Sequence, residues 1–179
     1  MAEFNPSNSE VNVFVYREGI LSAVGHDLKI KVSDFKIAVN DESSVEAEFR
    51  PDSLRVIGSM KNGRVVENEP GPGDKRDIEA TIARDILEAG KFSKIWFRST
   101  AVERQDGTLR IRGRLELHGA VRDVQFTVAQ IAGRANAKVT LNQPDFNIKP
   151  YRAMLGALRI KPEVVVEVSL PVASALSGE

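Results

Sequence analysis

The two histidines of this chain, His26 and His118, are the residues best suited to move a proton or hold a metal. Asp27 follows His26, the pairing an oriented general base would use. No serine or cysteine nucleophile signature lies beside it, so the pair is better read as holding the start of a strand. A metal site built on both histidines would need carboxylates to complete it and is disfavoured. Arg110, Arg112 and Arg114 form a basic row that could meet phosphate or RNA. They alternate with Ile111, Gly113 and Leu115, which favours a solvated outer face paired with neighbouring acids. His118, just before Gly119, could bond a ligand head group; the competing reading is a turn histidine bonded to nearby backbone.

The elements that would position these residues are almost all strands. Val11, Val13 and Val15 share a face, and Leu28, Ile30 and Val32 alternate with Lys29, Lys31 and Ser33. Phe35, Ile37 and Val39 run to the turn pair Asn40-Asp41, after which Val45, Ala47 and Phe49 alternate with glutamates, predicting a hairpin. Ile95, Phe97, Ser99 and Ala101 are expected opposite Trp96, Arg98, Thr100 and Val102. Asp106-Gly107 marks the next hairpin. Beyond it Ile111, Gly113, Leu115 and Leu117 point inward, and Val124, Phe126 and Val128 return. Further strands are expected around 138–142, 146–148 and 164–170.

Two segments break the period. Residues 52–73 hold Gly58, Asn62-Gly63 and the run Glu69-Pro70-Gly71-Pro72-Gly73, and read as a long surface loop. Ile78, Ile82 and Ile86 then recur at i+4, predicting one α-helix over about 75–89 with Asp74 as its cap and Gly90 past its end. The fold class is therefore all-β, an antiparallel barrel of about eight strands with one helix, the number at which a closed sheet holds side chains or one small ligand. It is read as one domain over 1–179, with a polar N-terminal segment (1–10) and a C-terminal tail (172–179).

Bulk composition narrows the partners. Lys and Arg number 25 and Asp and Glu 25, so no net field gathers nucleic acid or an anionic membrane. Cysteine is absent, which excludes disulfides and thiolate metal sites. No segment is long and apolar enough for an integral membrane span, and the N-terminus lacks the pattern of an export signal. The expectation is a cytoplasmic protein as written, and a periplasmic or secreted one if the sequence is a trimmed mature form. No cofactor is expected. Hairpin edges and an exposed helix leave a homodimer open.

The segment Leu115-Glu116-Leu117-His118-Gly119-Ala120-Val121-Arg122-Asp123-Val124 resembles the signature hairpin of the YceI-like family. Gly25-His26-Asp27-Leu28, Asp52-Ser53-Leu54, Asp77-Ile78, Ile95-Trp96-Phe97-Arg98-Ser99-Thr100 and Asp145-Phe146-Asn147-Ile148-Lys149-Pro150-Tyr151 resemble further family elements, in order. The resemblance implies a lipocalin-like barrel whose lumen holds a long isoprenoid, a polyprenyl lipid or an isoprenoid quinone. Asn147 stands where the family commonly has glycine, and asparagine tolerates φ > 0 better than most residues.

On alternation, Ile30, Phe49, Phe97, Leu115, Leu117, Phe126 and Val166 are the expected lumen wall. Trp96, Tyr151, Met154, Leu155 and Leu158 are expected near its mouth, with His26 and His118 as candidate head-group contacts. The function read from this is non-catalytic binding, transport or storage of an isoprenoid or other long-chain lipid. The rivals are a packed β-barrel interaction or stress-response module, and a hydrolase or metal-dependent enzyme using His26, Asp27 and His118.

Overall fold

The computed structural model describes residues 1–19, 26–41 and 43–172, and within them every side chain but that of Met154. Alternating sequence becomes alternating burial. In the strand Leu28–Val32, Leu28, Ile30 and Val32 are buried and the lysines between them are not; in Thr108–Leu117, Ile111, Gly113 and Leu115 are buried between exposed arginines.

In chain order the strands are β1 (Ala2–Phe4), β2 (Glu10–Val15), β3 (Arg17–Glu18), β4 (Leu28–Val32), β5 (Phe35–Asn40), β6 (Ser44–Phe49), β7 (Leu54–Lys61) and β8 (Arg64–Val66). After the helix α1 (Pro72–Thr81) come β9 (Ile95–Gln105), β10 (Thr108–Leu117), β11 (Ala120–Ile131), β12 (Arg134–Asn142), β13 (Arg152–Ala153), β14 (Leu158–Ile160) and β15 (Glu163–Pro171). The main sheet is antiparallel and has 12 strands, in the order β1-β5-β6-β9-β10-β11-β12-β15-β2-β4-β7-β8. A small sheet joins β13, β14 and β3.

The expected count of eight strands is thus corrected, and the reason is local. The run from β4 to β5 breaks at Ser33-Asp34, and the run from β6 to β7 breaks over the 3₁₀ turn Pro51–Ser53. Before the corner β4 pairs with β7 and β2; after it β5 pairs with β6 and β1. The corner itself is stitched by Ser33 N donating to Ser53 O at 2.9 Å and Arg50 N to Asp34 O at 3.1 Å. Two bent chain runs therefore feed both ends of the ladder, and the sheet curls about a single apolar interior.

Other expectations change as well. Residues 52–73 are not one long loop, because 54–66 form the hairpin β7–β8 around Asn62 (φ 52°) and Gly63 (φ 75°). Gly58 masked this strand. It lies where β4 and β7 shift register, and a Cβ there would come within 2.4 Å of Val66 O. The polar start of the chain likewise contains a strand, since Ala2–Phe4 pairs with β5. Residues 146–148 form no strand, because a 3₁₀ turn spans Gln143–Phe146 and Asn147 takes the left-handed conformation (φ 57°) that ends it.

The helix begins with Gly71 as N-cap and Pro72 inside, not at Asp74, and continues through a π-helical turn at Ile82–Ile86. Glu88 (φ 47°), not Gly90, carries the positive φ after its end. It packs Ile78, Ile82 and Ile86 against the core, and Glu79 Oε1 accepts the Val56 N–H at 2.9 Å, so a side chain of the helix satisfies a donor of β7.

A bulge in β9 resets the inner face. Arg112 opposes Ala101 but Gly113 opposes Ser99, which leaves Thr100 unpaired. Val102, expected outside, is thereby turned inward, while the Ser99 hydroxyl accepts the Val45 N–H at 2.8 Å where the β6–β9 ladder stops. Gly113 makes this possible. A Cβ there would lie 2.4 Å from the Phe97 ring and 2.5 Å from Arg98 O. We expect Gly113→Ala to destabilise the fold by about 2 kcal/mol in denaturant unfolding, because the ring and a backbone strand must both move; a loss below about 0.5 kcal/mol would show that the wall yields freely.

Candidate functional site

Inside the curled sheet lies a cavity of about 570 Å³. Its wall is built by one inward residue in two from strand after strand: Val11, Val13 and Val15 of β2, Ile111, Leu115 and Leu117 of β10, Val124, Phe126 and Val128 of β11, and Val164, Val166 and Val168 of β15. Ile82, Ile86 and Leu87 enter beside Leu117, Leu141 and Phe146 and form one end, a floor in which Phe146 is buried and the others half-buried. The other end is ringed by Asp41 and by Met1, which is 76% exposed. Among the lining residues of the described chain only Asp41 and Gln143 carry polar side chains. Such a space can hold an apolar body by burial alone and has little with which to polarise or protonate it.

Of the expected wall residues, Ile30, Phe49, Phe97, Leu115, Leu117, Phe126 and Val166 all line this cavity. The expected mouth residues do not. Trp96 stands on the outer face under the Arg98 guanidinium, 6.0 Å from its ring centroid. Tyr151 is 46% exposed, Leu155 stands free of the protein at 108%, and Leu158 lies in the small sheet. The Met154 side chain lies outside the described residues. Tyr151, Leu155 and Leu158 follow the 3₁₀ turn at Gln143–Phe146, which carries the chain off the main sheet before β13, whereas Trp96 lies within β9 next to the inward Phe97 and so faces the other way.

Neither histidine reaches the cavity wall. His26 Nδ1 pairs with the Ser59 hydroxyl at 3.0 Å, and Ser59, 1% exposed, also lies 3.1 Å from Glu69 O. A hydroxyl so enclosed has no face open to a substrate. The neighbouring Glu69 carboxyl is held below its usual range by the Lys61 ammonium bonded to it. Asp27 accepts the Arg17 backbone N–H at 2.8 Å. No group of three or more His, Asp or Glu among the described residues is arranged to hold a metal.

His118 ties together the floor. Its Nδ1 donates to Phe146 O at 3.1 Å and its Nε2 meets Glu88 Oε2 at 2.5 Å, while Phe92 covers the ring at 4.5 Å between centroids. This one side chain therefore links the end of the helical segment, the β10–β11 turn and the turn after β12. Gly119 leaves space for the Phe92 ring, since a Cβ there would come within 2.6 Å of it. The arginine row does as expected on the outer face, with Arg112 paired to Glu103 at 2.8 Å and Arg114 to Asp123 at 3.7 Å. Exposed pairs of this kind contribute little to stability.

A family model for the YceI-like domain matches residues 3–172, nearly the whole chain. The chain belongs to the YceI-like family. Solved structures similar to this YceI-like chain include BcnA of Burkholderia cenocepacia (12% identity, TM-score 0.64, covering 92% of this chain and 96% of that one). A polyisoprenoid binding domain from Saccharophagus degradans, implicated in plant cell wall breakdown, is similar at 13% identity and TM-score 0.60, over 94% of each chain. The YceI protein of Campylobacter jejuni matches at 12% identity and TM-score 0.55, over 79% of this chain and 81% of that one. At these identities the likeness is one of fold. No curated protein matches the chain.

Sequence reasoning missed Gln143 and the helical Leu87 as parts of the cavity. A lone glutamine before a proline reads as loop polarity, and only the three-dimensional convergence of the turn on the floor reveals it. The His118 linkage joins residues 30 apart in sequence, a separation no local pattern signals. We expect His118→Ala to lower the stability of this YceI-like chain by about 2 kcal/mol, through a buried carbonyl and a carboxylate left without a donor. Glu88→Gln, which keeps an acceptor, should cost less than half of that. Equal losses in denaturant unfolding would contradict the linkage.

Proposed function

We propose that this chain is a non-catalytic binder of a long apolar isoprenoid, held in the lumen of a lipocalin-like barrel for transport or storage. The observation that carries the reading is the 570 Å³ hollow whose lining bears only Asp41 and Gln143 as polar side chains. The polyisoprenoid binding domain of Saccharophagus degradans, alike in fold, adds support. A solidly packed interaction module would have no use for this void, and an enzyme built on His26, Asp27 and His118 would need groups that here bond separate partners.

The size of the space bounds the guest. At about 30 Å³ per carbon-sized group, the share of one water in the liquid, there is room for roughly twenty carbon atoms, or about four isoprene units. Burial at about 0.8 kcal/mol per carbon gives on the order of 16 kcal/mol gross, set against about 4–15 kcal/mol for association. Enclosing such a chain is therefore enough for useful affinity without any dedicated polar contact. Entry is by the end ringed by Asp41, the other end being covered by the helical segment and the His118 linkage.

Organic extraction of the purified protein followed by mass spectrometry should release a polyprenyl or quinone species, and the stripped protein should take up an added isoprenoid. An empty extract together with no uptake would eliminate the proposal. Leu115→Arg puts a charge into the wall where Leu115 is buried and should reduce uptake at least about a hundredfold, a charge left unpaired in apolar surroundings being strongly penalised. A folded variant that still binds would refute the assignment of that face.

A further inference from the structure

We propose that the side-chain oxygen of Gln143 is a head-group acceptor at the floor of the cavity, selecting an isoprenoid that ends in a hydroxyl over one that ends in a carbonyl or ether. This rests on the isoprenoid reading above and adds to it the chemistry of the guest's polar end.

Gln143 opens the 3₁₀ turn after β12 and is only 9% exposed. Its backbone is fully engaged: N–H donates to Pro162 O at 2.9 Å, and its carbonyl accepts the Ile148 N–H at 3.1 Å. The side chain is oriented by one bond, Nε2 to Lys161 O at 3.1 Å. A carbonyl can only accept, so nitrogen must lie on the Lys161 side and Oε1 must be the other arm of the amide. Among the described residues Oε1 has no hydrogen-bond partner. No fully sealed side-chain polar atom among them lacks one, so this oxygen opens on space and is not entombed in packing. The space it borders is the cavity, where its neighbours are Leu141, Phe146 and Ile148.

An apolar wall with one uncommitted acceptor is directional. Buried polar atoms are almost always paired, and the polar side chain that remains in the lining, Asp41, belongs to the exposed rim at the opposite end. A hydroxyl can donate to Oε1. A quinone carbonyl or an ether oxygen cannot, and would set one acceptor against another. The amide is also held in place before any guest arrives, by Lys161 O and by the turn that Pro144 and Asn147 define, so little ordering is lost when the bond forms. The apolar tube then sets affinity and this single atom sets which end chemistry is preferred.

The test uses the full chain stripped of lipid and three probes of equal length: a four-isoprene-unit alcohol, its methyl ether and the corresponding aldehyde. The alcohol should bind about tenfold more tightly than either of the others, the scale of one uncharged hydrogen bond. In Gln143→Met, similar in length and without an acceptor amide, the three should bind alike, at the affinity the ether shows for the unaltered protein. Equal binding of all three to the unaltered protein, or an alcohol preference that survives in Gln143→Met, overturns the inference and leaves the isoprenoid reading standing. Binding of none of them overturns both. Should the variant fail to fold, the ratio of alcohol to aldehyde in the unaltered protein decides alone, because that ratio is internal to one folded protein.

Discussion

The interior stays open because the side chains on half of its wall end too soon. Most inward positions of β2, β12 and β15 are occupied by Val11, Val13, Val15, Ala135, Ala137, Val139, Val164, Val166 and Val168, with Leu141 and Leu170 the longer side chains on those strands. Valine suits a strand, with a stiff branched side chain that packs well on the pleat. It does not reach far across a tube. The lining phenylalanines come from other elements, Phe4 of β1, Phe49 of β6, Phe97 of β9, Phe126 of β11 and Phe146 of the turn after β12, and Phe97 and Phe126 spend their length on one another, with ring centroids 5.6 Å apart. Small residues facing large ones would fill the space only if the large ones pointed across it.

A hollow sheet needs its strength elsewhere, and this one takes it from the backbone ladder and its corners. The bent runs β4–β5 and β6–β7 supply both ends of the strand order, so that β7 and β5 carry only the short additions β8 and β1. Where the ladder is interrupted, side chains replace it: the Ser99 hydroxyl for Val45 N, Glu79 for Val56 N and Ser53 for Asp34 N. No fully buried side-chain donor or acceptor among the described residues goes unpaired. Exposed long edges, the usual hazard of a large sheet, are thus kept short without filling the middle.

Much of this was legible because burial on one face imposes period two on the sequence. The wall from Ile30 to Val166 followed from alternation, as did the turn at Asp106-Gly107 and the tolerance of Asn147 for a positive φ. What escaped was whatever breaks the period from outside the strand. The unpaired Thr100 reverses the face of Val102, and nothing in that stretch announces it. Gly58 and its punctuated neighbourhood disguised a strand, since a glycine required by close approach to Val66 looks like one required by a loop. Ala132 at φ 52° starts the β11–β12 turn without any turn-forming residue of its own, leaving Gly133 as the only sign. Tyr151, Leu155 and Leu158 lie off the cavity for another reason: proximity in sequence to a strand end does not say which way the chain departs from it.

The cavity also sets the relation between folding and binding. At about 24 cal/mol per Å³, an empty space of 570 Å³ corresponds to about 14 kcal/mol of forfeited contact, comparable with the whole net stability of an ordinary domain, about 5–15 kcal/mol. That scale describes atoms removed from a packed core, and here the wall never held them, so the forfeiture is an upper bound. Even a fraction of it makes a guest part of the structure in the energetic sense. A ligand that binds only the folded chain stabilises it in proportion to the logarithm of its concentration over its dissociation constant. The valine and alanine wall, too short to make a core of its own, therefore defers that part of the core to the molecule it encloses. Affinity and the thermal resistance of the loaded protein become two measures of the same burial.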